Sequence, residues 1–222
     1  MRIALITANI GGIDEVYPPA KQTEDYELFY YTENNLPFPM PSFDNRLKGK
    51  YLKTQAHRFL DHDIFIWIDG SVEIKDGTFL TWVLQELNDC DLIIQRHERK
   101  TVFEEIDHIL EKMKKGSPYL LKRYARQPFK QEYDFYKSEG LNFPLYKCWF
   151  FACWNNIAVN NMMNTWWDMI LRYSNFDQSQ FSYAAWKHHL KINEVNTENY
   201  LIRHKHQENN LIPEVKYLDE RT

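Results

Sequence analysis

Several short constellations in this chain have the residue types and spacing to do chemistry. Asp69, Gly70 and Ser71 directly follow the apolar run Ile64, Phe65, Ile66, Trp67 and Ile68. A carboxylate there can reach a ligand or a metal, and a glycine lets backbone approach closely; the same Asp can equally start a turn. Lys53 and His57 recur at helical spacing within residues 48–60, with Lys50 on the same stripe. Such a cationic face either holds phosphates or is simply solvated. Arg96, His97, Glu98 and Arg99 follow a second apolar run, where they can bind a diphosphate or pair with one another at the surface. His204 and His206 lie two apart on a strand-like segment. They can complete a metal site with Asp69, since imidazole and carboxylate together suit Mn2+, or stand exposed on one face. Asp177, in residues 175–179, is an acid that can take a proton from a hydroxyl or can cap a helix starting near Gln180. Asp134 and Glu139 are weaker candidates that orient neighbours.

The elements that must position these groups alternate. Residues 3–8 and 26–32 read as strands, and Asn9, Ile10, Gly11 and Gly12 between them form a loop. Residues 37–41, with three prolines, continue neither helix nor sheet. A helix is expected over 48–60, a strand buried on both faces over 64–68, a helix over 78–87 and a strand over 91–95. Thr101 and Glu104 make a capping box for a helix that Gly116 and Pro118 stop. Pro128 splits residues 119–140 into two short helices, residues 147–154 read as a buried strand, and residues 157–173 as a helix. In that last helix Trp166 and Trp167 are adjacent, which predicts one of them at the surface. In an open α/β sheet ligands bind outside the carboxyl ends of the strands. The segments 8–12, 69–71 and 96–97 are therefore expected to converge on one pocket, with Lys53 and His57 beside it.

Composition narrows the classes. A chain of 222 residues can bury a sizeable core, and 16% aromatic residues serve packing and sugar or base stacking alike. A net charge of −4 argues against nucleic acid or an anionic membrane as the main partner. Cys90, Cys148 and Cys153 lack metal-ligand spacing, so a reducing compartment and buried thiols are expected. The amino terminus does not read as an export signal and no apolar stretch approaches the roughly 20 residues of a membrane span, so a soluble, cytoplasmic chain is expected. Residues 213–222 are polar and read as a tail or the start of a linker to a further domain.

The order of these segments resembles the glycosyltransferase-like family formerly known as a domain of unknown function. Plant members of that family are implicated in cell-wall polysaccharide synthesis, and related domains occur in microbial and viral glycan loci. The resemblance spans residues 1–207 and rests on Trp67-Ile68-Asp69-Gly70, Arg96-His97-Glu98-Arg99, the stretch from Asp134 through Leu141, Asp177-Gln178 and His204-Lys205-His206. It implies an α/β fold of GT-A type: a Rossmann-like mixed sheet flanked by helices in a single compact domain. Residues 1–98 would form a nucleotide-sugar-binding half and residues 99–212 an acceptor-binding half.

The implied activity is transfer of a sugar, hexosyl or deoxyhexosyl, from a nucleotide-sugar donor, with UDP favoured, to a glycan acceptor in surface or capsular polysaccharide synthesis. Asp177 and Asp69 would be catalytic. The donor would be held by Thr7, Ala8, Asn9, Gly11, Lys53, His57, Asp69, Gly70, Ser71, Arg96 and His97. Asp69, His204 and His206 would hold Mn2+ or Mg2+, although Ser71 stands where many relatives carry a second aspartate. The alternative is a GT-A-like carbohydrate-binding module without catalytic activity.

Overall fold

The computed structural model describes residues 1–205. His206 and the polar residues 213–222 therefore lie outside the described residues. Strand β1 (Ile3–Ala8) pairs in parallel with β2 (Glu27–Tyr31) and with β3 (Ile64–Ile68). Strand β4 (Val72–Ile74) leaves the sheet, and helix α2 (Phe79–Glu86) leads to β5 (Leu92–Thr101). Between β2 and β3 lies helix α1 (Asn45–Thr54), followed by a 3-10 turn at Ala56–Arg58. Helices α3 (Val102–Lys114), α4 (Pro118–Tyr124) and α5 (Phe129–Ser138) precede β6 (Pro144–Trp154). The described chain ends with helices α6 (Ile157–Arg172) and α7 (Asp177–Lys187) and strands β7 (Ile192–Glu194) and β8 (Leu201–Arg203).

The main sheet runs β2-β1-β3-β6-β5-β7. Only β6 is antiparallel to its neighbours, so β1, β3 and β5 all point their carboxyl ends at one edge. Alternation along the strands fills both faces. Ala4, Ile6, Phe65 and Trp67 pack toward α1 and α6, while Ile3, Leu5, Ile64 and Ile66 pack toward α2 and the small β4-β8 sheet. A third cluster joins α3, α4 and α5 to Leu145 and Met169. The result is a mixed α/β sheet flanked by helices in one compact domain, as expected.

Three local expectations are corrected. The helix foreseen over 48–60 starts earlier, where Asp44 caps it by accepting from the Leu47 amide at 2.8 Å, and it stops at Thr54 before a 3-10 turn. Strand β5 runs on past residue 95 through two register shifts, so Arg96 lies within it rather than at its end. Trp166 and Trp167 are both buried, because α6 is covered on two sides. Trp166 packs on Phe151 and Phe181, and Trp167 packs on Phe43 and Tyr51.

Candidate functional site

The ends of β1 and β3 meet side by side. After β1 the Asn9 side chain clasps the loop, donating to the Asp14 carbonyl at 2.7 Å and accepting from the Asp14 amide at 3.1 Å. Gly11 takes a φ of 92°, a left-handed conformation that favours glycine, and its amide donates to the Glu33 carboxylate. A Cβ at Gly70 would lie 2.7 Å from the Ala8 carbonyl oxygen and 2.9 Å from Asp14 Oδ2. Only a glycine lets the turn after β3 approach the end of β1 this closely.

Asp69 is the first of four interlocked charges. Its Oδ1 accepts from Trp67 Nε1 at 2.8 Å and from Lys53 Nζ at 3.2 Å. Lys53, its side chain 2% exposed, also donates to Asp177 Oδ2 at 2.8 Å and lies over the rings of Trp67 and Trp166. Lys50, one turn earlier on α1, reaches the same Asp177 oxygen at 2.6 Å. Asp177 opens α7, where the helix dipole also favours a carboxylate, and it caps nothing. Burial works to raise the Asp177 and Asp69 carboxyls, but the two ammonium groups outweigh it and hold both below the usual range. Burial likewise works to lower Lys53, and Asp177 and Asp69 reverse that and raise it. Lys50 ends lowered, because burial outweighs Asp177 there.

Two cavities share this cluster. The inner lobe, about 310 Å3, is lined by Ala8, Gly11, Asp69 and Gly70 together with Arg46 and Arg123. The outer lobe, about 710 Å3, adds Arg99, Glu105, Trp149, Gln178, Arg203 and Lys205. Lys50, Lys53, Asp69 and Arg123 line both. In the outer lobe Arg99 Nη1 lies 2.6 Å from Glu105 Oε2, and burial leaves the Glu105 carboxyl raised despite that contact.

The remaining expected site residues go elsewhere. His57 sits on the 3-10 turn beside Asn164 and packs among Ile6, Phe65 and Val159, so it lines neither lobe. Thr7 faces the opposite side of β1 from Ala8, toward Tyr17 and Val72. Asn9 spends its side chain within its own loop. Ser71 is 1% exposed and its Oγ has no hydrogen-bond partner, while its carbonyl accepts from the His204 amide. Arg96 pairs with Glu194 at 2.6 Å and lies over the Tyr146 ring, a surface ion pair rather than a cavity group. His97 lines a third depression with Lys147 and Thr197.

Lys50, Glu105 and Arg123 are cavity residues that the motifs do not single out. Lys50 was visible as part of the cationic stripe. Arg123, on the seven-residue α4, carries no sequence signal at all, since its place depends on how α4 folds back over the sheet edge.

A divalent ion does not fit the side chains brought together. His204 lines the outer lobe, yet its Nε2 is 2.9 Å from Glu73 Oε2 and its ring stacks on Tyr17 at 4.1 Å. Asp69 already serves Lys53 and Trp67, and the neighbouring ammonium groups would repel a second cation. Among the described residues no three His, Cys, Asp or Glu side chains cluster as a metal site would require. All three cysteines are free thiols, and among the described residues no helix is long and apolar enough to cross a membrane.

No protein-family model matches the chain, and no curated protein matches it in sequence. Among solved structures, the crystal structure of mouse xyloside xylosyltransferase 1 in its apo form is similar with a TM-score of 0.48 and 8% identity, over 89% of this chain and 86% of that one.

Proposed function

We propose that this chain is a nucleotide-sugar-dependent glycosyltransferase of GT-A type, with the donor in the inner lobe and a glycan acceptor in the outer one. The observation that carries the reading is the junction: two lobes meet over Asp69 and Lys53 at the carboxyl edge of β1 and β3. In this reading residues 1–98 supply most of the donor lobe, Arg123 and Asn175 join it from the second half, and Lys50, Lys53 and Asp69 also line the acceptor lobe. A UDP-sugar is the favoured donor, on the strength of the family resemblance.

In such a transfer the acceptor oxygen attacks the anomeric carbon, the bond to the diphosphate breaks, and the nucleoside diphosphate leaves with the electron pair. The developing charge needs a cation. Lys50 and Lys53 are already balanced by Asp69 and Asp177, so the cluster as a whole is neutral. Arg123 is different. It lines both lobes, and among the described residues it has no carboxylate partner and its buried Nε lacks a hydrogen-bond partner. In this reading Arg123 takes the leaving charge, while Asp69 and Lys53 form a rigid floor under the diphosphate.

The acceptor proton needs a base. Asp177, held ionised by two ammonium groups, is a poor proton acceptor, and its role is to anchor them. Glu105, a cavity carboxyl raised by burial, suits the task better. Calorimetry with UDP and UDP-sugars in excess chelator, followed by assay of nucleotide release, tests the reading. Arg123→Gln is expected to weaken UDP binding at least tenfold, and Glu105→Gln to lower turnover while leaving UDP affinity unchanged. Wild-type protein that binds no nucleotide, with or without Mn2+, would overturn the proposal.

A further inference from the structure

Resting on the two-lobe reading above, we infer that the acceptor is an acidic sugar, one carrying a carboxylate or a phosphate close to the accepting hydroxyl. The outer lobe presents six Lys and Arg side chains, from Lys50, Lys53, Arg99, Arg123, Arg203 and Lys205, against three carboxylates, from Asp69, Glu105 and Asp177. Ion pairs consume three of the six: Lys50 and Lys53 with the two aspartates, and Arg99 with Glu105. Arg123 faces the inner lobe as well and meets the donor's diphosphate. Arg203 and Lys205 remain. Neither lines the inner lobe, and neither has a carboxylate partner among the described residues. A nucleotide held over Asp69 leaves the charge of these two exposed side chains unmatched, and a cleft wall carrying one sign of charge concentrates a ligand of the other sign there.

A second observation gives that ligand its path. The depression around His97, about 310 Å3, shares Trp149, Gln178 and Arg203 with the outer lobe. Trp149, 8% exposed, forms part of the wall common to both spaces, Gln178 brings a side-chain amide for hydroxyls, and Arg203 lines both spaces. In the side depression Lys147 is paired with Glu98 and Glu198 adds a second carboxylate, so the acidic substituent belongs in the outer lobe, where Arg203 and Lys205 lie together, and a neutral part of the chain in the depression. An oligosaccharide can thus run from the side depression past Trp149 to the junction, its acidic group at Arg203 and Lys205.

The test uses the full chain and five probes: UDP, a glucuronate-containing tetrasaccharide, a neutral tetrasaccharide of the same length, a phosphorylated monosaccharide and its neutral parent. Binding is measured for wild type, Arg203→Gln/Lys205→Gln, and the control Lys21→Gln/Lys75→Gln, which makes the same charge change away from all three cavities. The expected result is at least tenfold tighter binding of one acidic probe than of its neutral partner. That preference is lost in Arg203→Gln/Lys205→Gln and kept in the control, with UDP affinity unchanged throughout. Preference for the glucuronate probe identifies a carboxylate, and preference for the phosphorylated probe a phosphate. Equal binding of acidic and neutral probes, no binding of either, or equal loss in both double variants overturns the inference. Failure of UDP to bind wild type condemns the donor reading instead, because the sugar titrations are read without nucleotide.

Discussion

Asp177 and Glu132 are two buried carboxyl groups tied to the same stretch of chain, and they are stabilised in opposite ways. Asp177 is met by two ammonium groups and stays ionised. Glu132, on α5, is met only by neutral donors: the Tyr136 hydroxyl at 3.0 Å, the Ser174 hydroxyl at 3.2 Å, the Gln180 amide at 3.0 Å and the Ser179 hydroxyl. Burial pushes Glu132 up to about 7, since four neutral hydrogen bonds do not replace a counter-ion. Ser174, Ser179 and Gln180 flank Asp177 in sequence. One turn of chain is therefore pinned on one side by charge and on the other by a network that tolerates a proton. The lesson is that the site's ion cluster rests on a support whose protonation changes near neutral pH.

The comparison breaks most severely at Asp177. Asp177→Ala leaves Lys50 with no carboxylate and Lys53 with Asp69 alone, so a destabilisation of about 3–5 kcal/mol is expected, the usual cost of stranding a buried charge. Urea unfolding measures it. The sign of the pH dependence sharpens the same point. A carboxyl held low in the folded state contributes stability that is present above its unfolded value near 4 and lost as pH falls, and Asp177→Ala should remove that acid-side slope. A midpoint unchanged from wild type would mean that the cluster is not a structural unit.

The effect next in size is at Glu132, with the opposite sign. A carboxyl raised in the folded state contributes stability that is full below its unfolded value near 4.5 and lost as pH rises through about 7. On the order of 2–3 kcal/mol should disappear between pH 4 and 8, and Glu132→Gln, which cannot ionise, should flatten that slope. A slope that survives the substitution would assign it to another group.

Much of this arrangement was legible because it is local. Ile3 to Ala8 carries its strand in its own composition, residues 64–68 show burial on both faces by lacking any polar alternation, and Thr101 accepts from the Glu104 amide at 3.2 Å as its spacing announces. Asp69 and Gly11 were findable because each follows a strand, and Lys53 because it repeats with Lys50 on one helical stripe. What stayed hidden depends on partners far along the chain. His57 repeats at helical spacing from Lys53, yet helix α1 gives way to a 3-10 turn between them, and His57 lines neither lobe. Arg96 looks like a phosphate ligand until β7 supplies Glu194. Lys50 and Lys53 look like one solvated stripe until α7 brings Asp177 against them, and nothing near residue 123 hints that α4 lies over the cavity.

The smallest expected effect tests how evenly the neutral network shares its load. Ser179→Ala removes one hydroxyl from a carboxylate that keeps Tyr136, Ser174 and Gln180, so the loss should be about 1 kcal/mol, the worth of a single neutral hydrogen bond. Its direction on Glu132 is more telling than its size. Each of these donors favours the ionised form and works to lower the carboxyl against burial, so deleting one should move its titration above about 7. Carbon-13 NMR of the Glu132 carboxyl reads that midpoint directly. Asp177 gives the contrast: its two ammonium partners belong to α1, not to the network, so Ser179→Ala should leave the acid-side slope of the stability curve as it is in wild type. If the acid-side slope moves together with the Glu132 midpoint, charge and hydrogen bonding act on this turn of chain as one coupled support rather than two.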